Sequence, residues 1–297
     1  MSAKFLSVPS KLLLFGEHSV LMGSPAIILP LWKFPARLRI PEKEQKEAHL
    51  DSNEQLSQFY HYLEAHPDWF DGHIHLKNFK ESLKKGLFLE SLIPIGYGLG
   101  SSASVCVAVY KVFGKTNLKE LNQLKIFYSR MEAFFHGKSS GLDPVAVHVN
   151  KPILVDAAKI QIIEHEHKFI DESLHTYLLD SGISRNASAM IETFQMELQN
   201  EAFKHQFSNE YLPILQNIKE KVLQEQPIGW DLLKDVSIQQ LTYFRKLIPD
   251  PIYSTWKQSI SDKNTCIKLL GAGGGGFFLV FSKKALSELD GYKLMEI

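Results

Sequence analysis

A short segment in the first half of the chain combines three glycines with two adjacent hydroxyls. The glycines are Gly96, Gly98 and Gly100, and the hydroxyls are Ser101 and Ser102. Because glycine has no Cβ, the backbone N–H groups here can close around an anion. A helical pattern begins directly afterwards, and its N-terminal partial positive charge would favour the same anion. The segment predicts a phosphate-binding loop; a glycine-rich turn with Ser101 as an ordinary helix N-cap is the plainer alternative.

This loop differs from two common phosphate-binding motifs. It lacks the Gly-Lys-Ser/Thr ending of a Walker A loop. The third glycine of the dinucleotide-binding fingerprint would fall on Ser101. The spacing therefore argues against both of those classes.

Polar residues stand at both ends of an early apolar run. Lys11 precedes the run, and Glu17 and His18 follow it. A strand of this kind would bring the three polar side chains to the ends of a buried element. Taken alone, a solvated lysine at a strand end and two turn residues are the commoner interpretation.

Two acidic residues belong to helix ends in the pattern. Apolar residues recur at helical spacing over 118–135, which places Glu132 in the last turn of a helix. Asp143 and Pro144 fit an N-cap and N1 pair that opens the next helix. Such a position favours an ionised carboxylate, so Asp143 is either a base or a structural cap.

The last chemical segment is the glycine run Gly271–Gly276, which lies between apolar stretches at 266–270 and 277–281. Each glycine costs about 0.5–1 kcal/mol relative to alanine in a regular element. Close approach of a backbone or ligand would explain the run, and a flexible hairpin connection is the equal alternative.

Mixed elements surround these segments. The pattern predicts a buried helix over 102–113, a strand over 73–76, and strands at 153–155, 160–163 and 176–180 before a mainly helical stretch. The chain is thus expected to be α+β in two halves, with a boundary near 150–165.

Composition excludes several classes of function. The 297 residues carry 33 basic and 33 acidic side chains, so no basic surplus favours nucleic acid or an anionic membrane. Two cysteines do not form a disulfide framework or a zinc motif. Neither a signal peptide nor a membrane-spanning run is apparent. We expect a soluble, cytoplasmic protein.

Taken together and in order, the four segments resemble the GHMP kinases. The loop matches that family's Pro-x-x-x-Gly-Leu-Gly-Ser-Ser-Ala motif, and the glycine run matches its Gly-Ala-Gly-Gly-Gly-Gly. Within the family, the run from Lys11 to Ala26 is similar to the opening of mevalonate kinases. The resemblance covers about residues 5–281. It implies a two-domain α+β fold: a ribosomal protein S5 domain 2-like ATP-binding domain over 1–155 and a ferredoxin-like domain over 156–297.

The resemblance also implies a function and roles for residues. The function is ATP-dependent phosphorylation of a small-molecule hydroxyl, with mevalonate as the expected acceptor in isoprenoid biosynthesis. Asp143 would accept the hydroxyl proton beside Lys11, and Ser102 and Glu132 would ligate Mg²⁺. The residues expected to hold the ATP phosphates are Gly96, Gly98, Leu99, Gly100, Ser101, Ser102 and Ala103. Those expected to bind the acceptor are Glu17, His18, Arg185, Gly273 and Gly274.

Several positions depart from the mevalonate kinase pattern. Ser10 replaces the usual glycine, Ser139 the usual proline, and Pro144 the usual asparagine, while Asn186-Ala187 replaces Ser-Thr. Alternatives are therefore phosphomevalonate kinase, another GHMP small-molecule kinase, or a non-catalytic ligand sensor of this fold. The expected partners are ATP and a small hydroxy acid, with no nucleic acid or membrane, and the expected assembly is a monomer or homodimer.

Overall fold

The chain forms two compact units that are interleaved in sequence. A computed structural model describes residues 6–42, 47–94, 96–157, 159–164 and 168–297. The first unit comprises residues 1–12, 29–94 and 99–151, and the second comprises 13–28, 95–98 and 152–297. The expected cut between residues 155 and 156 refers to the family's domains and stays a prediction.

Two long strands contribute residues to both units: β1, Val8–Phe15, and β2, Ala26–Arg39. Both strands are continuous through their prolines, β1 through Pro9 and β2 through Pro30 and Pro35. The sheet has the order β1-β2-β4-β5, and β3 pairs with β2. Its remaining strands are β3, Phe88–Ser91, β4, Ile153–Asp156, and β5, Lys159–Ile162.

Helices make up most of the first unit. The mainly apolar helix α4 buries Cys106, Val107 and Val109 completely and packs against both α5 and α6. A helix that is apolar on most sides must be covered on most sides, as the sequence predicted for this segment. The helices of this unit are α1, Leu50–Glu64; α2, Pro67–Phe70; α3, Leu76–Lys84; α4, Ser101–Phe113; α5, Leu121–His136; and α6, Leu142–Val149.

Three local predictions in this unit are wrong. Residues 73–76 are not a strand: a turn leads into α3, whose buried Phe79 and Leu83 have helical i, i+4 spacing. The helix predicted from residue 118 begins at Leu121, without a side-chain cap. Asp143 is not the N-cap of α6, because Gly141 takes that position with a positive φ of 72°. Asp143 nevertheless lies in the first turn, where the helix dipole favours its charge.

The second unit contains an antiparallel sheet of five strands in the order β7-β8-β6-β10-β9. Helices α10 and α11 pack on β7, whose five residues are all buried. The strands are β6, His175–Asp180; β7, Thr265–Leu269; β8, Phe277–Ser282; β9, Glu288–Leu289; and β10, Tyr292–Glu296. The helices are α7, Ala187–Glu197; α8, Glu201–Glu210; α9, Leu212–Leu223; α10, Trp230–Tyr243; and α11, Asp250–Asp262.

The structure confirms the mixed α+β class, and its strands at 153–156 and 175–180 agree with the sequence pattern. Within the described ranges, no helix has both the length and the apolar character needed to cross a membrane.

Candidate active site

Lys11 and Asp143 form an ion pair in the first unit. The Lys11 Nζ lies 2.7 Å from the Asp143 Oδ2. The lysine side chain is nearly buried, whereas the aspartate side chain is 34% exposed. An ammonium group at this distance stabilises the ionised carboxylate. Because the carboxylate also remains accessible, it can accept a proton from a bound molecule.

The backbone around Lys11 explains one loop glycine. Gly100 has a φ of 76°, and a Cβ there would lie 2.6 Å from the Lys11 Cγ. The Lys11 N–H donates to the Leu99 carbonyl over 2.9 Å, which ties β1 to the loop. Glycine is therefore needed at position 100 both for its left-handed backbone and for room beside the lysine stem.

Glu132 is a buried carboxylate held by two serine hydroxyls. The Ser102 Oγ donates to Oε1 over 2.8 Å, and the Ser139 Oγ donates to Oε2. The His136 Nε2 lies 3.0 Å from the Ser102 Oγ, whose own proton is directed at Glu132. Burial, followed by the nearby negative charge of Asp143, raises the pKa of Glu132 to about 7.

The donor set around Glu132 suits a metal that arrives with a nucleotide. Across the part of the chain that the structure describes, no group of three or more His, Cys, Asp or Glu residues forms a metal cluster. Mg²⁺ commonly binds proteins through one or two carboxylates, its other ligands being waters and substrate phosphates. A cation here would also offset the repulsion between the carboxylates of Glu132 and Asp143. The residues present therefore fit Mg²⁺.

The start of α4 offers unpaired backbone donors. Gly100 is the N-cap and Ser101 is the first helical residue, so the ordinary N-cap role considered for Ser101 is wrong. Among the residues that the structure describes, no side chain caps this helix. The first N–H groups of an α-helix have no carbonyl within the helix, and they attract anions. The N–H groups of residues 101–103 can therefore bind a phosphate.

In the second unit, Arg185 lies close to two of the predicted glycines. Its Nη1 donates to the Leu270 carbonyl over 2.8 Å. A Cβ at Gly98 would lie 2.1 Å from the Arg185 Nη2, and one at Gly271 would lie 2.9 Å from it. Both glycines therefore make room for the guanidinium group of Arg185. The prediction of a phosphate-binding loop did not include this reason for a glycine.

Gly273 and Gly274 also lack space for a side chain. A Cβ at Gly273 would lie 2.6 Å from the Leu247 carbonyl oxygen, and one at Gly274 would lie 2.6 Å from the Met190 Sδ. Close packing thus explains both glycines, while their predicted role in binding the acceptor stays a prediction.

His18 is a buried histidine with a defined tautomer. Its side chain contacts Phe194 and Phe244, and its Nε2 lies 2.9 Å from the Ala272 carbonyl oxygen. A carbonyl only accepts, so Nε2 carries the proton. Burial is the main cause that lowers the pKa of His18 to about 4, which keeps the ring neutral and leaves Nδ1 as an acceptor. No hydrogen bond from the described residues reaches Nδ1.

Glu17 lies inside the second unit rather than on an open surface. It is fully buried, and its carboxylate pairs with Lys268 and accepts a hydrogen bond from Gln240. Sequence reasoning missed Lys268 and Gln240. The signal for Lys268 was a charged residue inside the apolar run 266–270, whereas nothing local distinguishes Gln240 from other helix residues.

Parts of this chain are similar in sequence to known proteins. Residues 68–150 match the family model of the GHMP kinases N terminal domain. Mevalonate kinase of Thermococcus sibiricus is 32% identical over 158 residues, which are 46% of this chain and 47% of that protein. Mevalonate kinase of Pyrococcus furiosus is 32% identical over 174 residues, or 52% of each chain. The chain thus spans about half the length of the curated relatives it matches.

Solved structures share the fold over nearly the whole chain. The mevalonate kinase of L. major in complex with R-mevalonate has a TM-score of 0.61 at 18% identity, covering 96% of this chain and 88% of that one. Streptococcus pneumoniae phosphomevalonate kinase, in complex with phosphomevalonate and AMPPNP, has a TM-score of 0.60 at 14% identity, covering 99% of this chain and 99% of that one. Lactococcus lactis galactokinase has a TM-score of 0.64 at 13% identity, covering 94% of this chain and 86% of that one.

These likenesses agree with the resemblance carried by the sequence motifs. The family model covers the segment that contains the loop, Glu132 and Asp143. The structural matches extend the shared fold to both units. The match to the GHMP kinases N terminal domain therefore covers residues 68–150, and over the rest of the chain the likeness to the solved kinases is one of fold.

Proposed function

We propose that this protein is an ATP-dependent small-molecule kinase that phosphorylates a hydroxyl, with mevalonate as the acceptor and 5-phosphomevalonate as the product. The observation that carries the proposal is the 2.7 Å pair between the Lys11 Nζ and the accessible carboxylate of Asp143. The mevalonate kinases among its relatives support the choice of acceptor. The reaction would belong to isoprenoid biosynthesis.

In the proposed reaction, Asp143 accepts the proton of the acceptor hydroxyl. The hydroxyl oxygen forms a bond to the γ-phosphorus while the bond from that phosphorus to the leaving ADP oxygen breaks. Lys11 pairs with the Asp143 carboxylate and lies near enough to stabilise the developing alkoxide. Phosphoryl transfer depends mainly on positioning and on electrostatic stabilisation, and this pair supplies both.

The N-terminus of α4 and the loop before it would bind the ATP phosphates. The N–H groups of residues 101–103 provide donors in the first unit. Ser102 and Glu132 would hold Mg²⁺, which neutralises phosphate charge when it is bound. Ser139 and His136 would keep the carboxylate and the hydroxyl oriented through their hydrogen bonds.

His18 and Arg185 are the proposed acceptor-binding residues of the second unit. The Nδ1 of His18 is a buried acceptor that no described residue reaches with a hydrogen bond, so it matches a hydroxyl donor rather than a carboxylate or a phosphate. The positive charge of Arg185 suits the carboxylate of a hydroxy acid. A neutral His18 adds no second cation, which favours mevalonate over an acceptor that already carries a phosphate.

A coupled assay that follows ADP release tests the proposal. The purified protein is given ATP, Mg²⁺ and one acceptor at a time: mevalonate, phosphomevalonate, galactose or homoserine. We expect turnover with mevalonate and at least tenfold lower kcat/KM with the others. Turnover of phosphomevalonate alone would reject the acceptor assignment. ATP binding without turnover of any acceptor would favour the sensor alternative.

A further inference from the structure

A second lysine–carboxylate pair lies entirely inside the second unit. Lys268, in the middle of β7, donates to the Glu17 carboxylate and, over 2.6 Å, to the Leu269 carbonyl. Its side chain is 1% exposed and that of Glu17 is 0% exposed. The Phe15 ring lies 5.5 Å from the Lys268 Nζ. Water therefore has no direct access to either charged group.

Gln240 of α10 completes the hydrogen bonding of this pair. Its Nε2 donates to the Glu17 Oε2 over 3.1 Å and to the Tyr211 hydroxyl oxygen over 2.8 Å. Its Oε1 accepts from the Leu269 N–H over 2.8 Å. Both oxygens of Glu17 thus have donors, and the network joins the end of β1 to α10 and β7.

A buried ion pair of this kind is not explained by stability alone. Burial raises the pKa of Glu17 and lowers that of Lys268, and the attraction between them opposes both shifts. Well-packed apolar side chains would often serve stability as well or better. Fixing one local conformation is a recognised use of such a pair, and the adjacent turn has a conformation that needs fixing.

The turn around Glu17 is strained. Gly16 has a φ of 104°, and His18 has a φ of 55° and a ψ of −40°, which is unusual for a residue with a side chain. A residue with a side chain persists in such a conformation only where its surroundings hold it. Glu17 is the residue between them, and it is the one anchored by Lys268 and Gln240.

The loop that follows β7 contacts the Nε2 side of the His18 ring. Ala272, whose carbonyl accepts from the His18 Nε2, follows Lys268 by four residues. Lys268 therefore pairs with Glu17, the residue directly before His18. The strand that contains Lys268, β7, leads to Ala272, the hydrogen-bond partner of the His18 ring.

We propose that Lys268 is a positioning residue for acceptor binding, because by holding Glu17 it fixes the turn and the ring of His18. This inference rests on the proposed role of His18 toward the acceptor. Glu17 then acts through His18 and does not itself touch the acceptor.

The decisive variant replaces both members of the pair with uncharged side chains of similar size, Glu17→Gln with Lys268→Met. Removing both charges avoids leaving one of them buried and unpaired. We expect the double variant to raise the KM for the acceptor at least tenfold and the KM for ATP less than twofold. Lys219→Met is the matched control, since it removes the lysine of the more exposed Lys219–Asp156 pair in the same unit, and it should leave both KM values unchanged.

A ¹⁵N NMR spectrum of the histidine side chains provides a readout that does not depend on activity. In the wild-type protein, His18 should show a single neutral tautomer protonated at Nε2. The double variant should show a mixture of tautomers or an altered Nε2–H shift. An unchanged His18 signal together with an unchanged acceptor KM would overturn the inference.

Two further results keep the test decisive. If the double variant does not fold, Gln240→Met keeps the ion pair and removes one donor to Glu17, and we expect a smaller rise of about threefold in acceptor KM with an altered His18 signal. An unaltered signal there would count against positioning. If the wild-type protein turns over no acceptor, the proposed function fails, whereas the His18 spectrum still shows whether Lys268 positions the ring.

Discussion

The two units each contain a lysine–carboxylate pair, and the two pairs differ in access to solvent. In the first unit, Lys11 pairs with Asp143, whose side chain is 34% exposed. In the second, Lys268 pairs with Glu17, and neither side chain has appreciable exposure. The carboxylate of Glu17 has donors on both oxygens, while Asp143 remains open to a ligand. We therefore propose that the same two functional groups take part in catalysis in the first unit and hold a conformation in the second.

The largest expected effect concerns the open pair. Asp143→Asn keeps the shape of the side chain but removes its ability to accept a proton. General-base catalysis contributes about 10²–10⁴-fold to rate, so we expect kcat to fall by about that factor while the Kd for ATP changes less than threefold. Steady-state kinetics and nucleotide titration measure the two quantities.

A matching substitution in the closed pair, Glu17→Gln, serves as the control for Asp143→Asn. Because Glu17 is not proposed to accept a proton, its effect should fall on stability and acceptor KM rather than on kcat. Full kcat in Asp143→Asn would show that the open pair is not the catalytic one.

Replacing each lysine in turn tests whether the two pairs contribute differently to the free energy of unfolding. Lys268→Met leaves Glu17 buried without its cation, and breaking one side of a buried pair costs about 3–5 kcal/mol of unfolding free energy. Lys11→Met leaves Asp143 partly hydrated, so we expect a loss of about 1 kcal/mol or less. Urea unfolding of both variants at neutral pH measures the difference. Equal losses would contradict the contrast between the two settings.

The pH dependence of stability should have opposite signs in the two units. The pKa of His18 is lowered to about 4, so its neutral form stabilises the fold at neutral pH, and this contribution is lost as pH falls below 6.5. The pKa of Glu132 is raised to about 7, so its contribution is present at low pH and is lost as pH rises from 4.5 through 7. Each contribution amounts to at most about 3 kcal/mol.

Two variants separate these opposing contributions. In urea unfolding without metal or nucleotide between pH 4.5 and 7, Glu132→Gln should make stability rise more steeply with pH than in the wild-type protein. His18→Gln should make it rise less steeply or fall. If both variants shift the slope in the same direction, the assigned environments of the two residues are wrong.

The smallest expected effect tests the hydroxyl that stands where mevalonate kinases usually have proline. Ser139→Ala removes one donor to Glu132 and should raise the Mg²⁺ concentration for half-maximal rate about tenfold, as loss of a group that orients a metal ligand typically does. Ser139→Thr retains the hydroxyl and should restore the wild-type value. Mn²⁺ binding followed by electron paramagnetic resonance with ATP present gives an independent measurement.

Sequence reasoning identified much of the fold because local pattern carried the information. The apolar run over 102–113 defined a buried helix, and the glycines on either side of Leu99 defined a loop before it. Where the pattern was short or ambiguous, it failed. The segment 73–76 alternates like a strand, yet the buried side chains that decide its structure belong to the following helix α3.

The sequence by itself indicated the resemblance to a family, the class of fold and the candidate residues, because its motifs occur in a fixed order and at defined spacings. Only the tertiary structure decided how those residues are used. It brought Lys11 to Asp143 across more than a hundred residues, and it sealed Glu17 against Lys268 and Gln240. Burial, partner choice and pKa depend on packing between segments distant in sequence, and for that reason two similar lysine–carboxylate pairs have different environments.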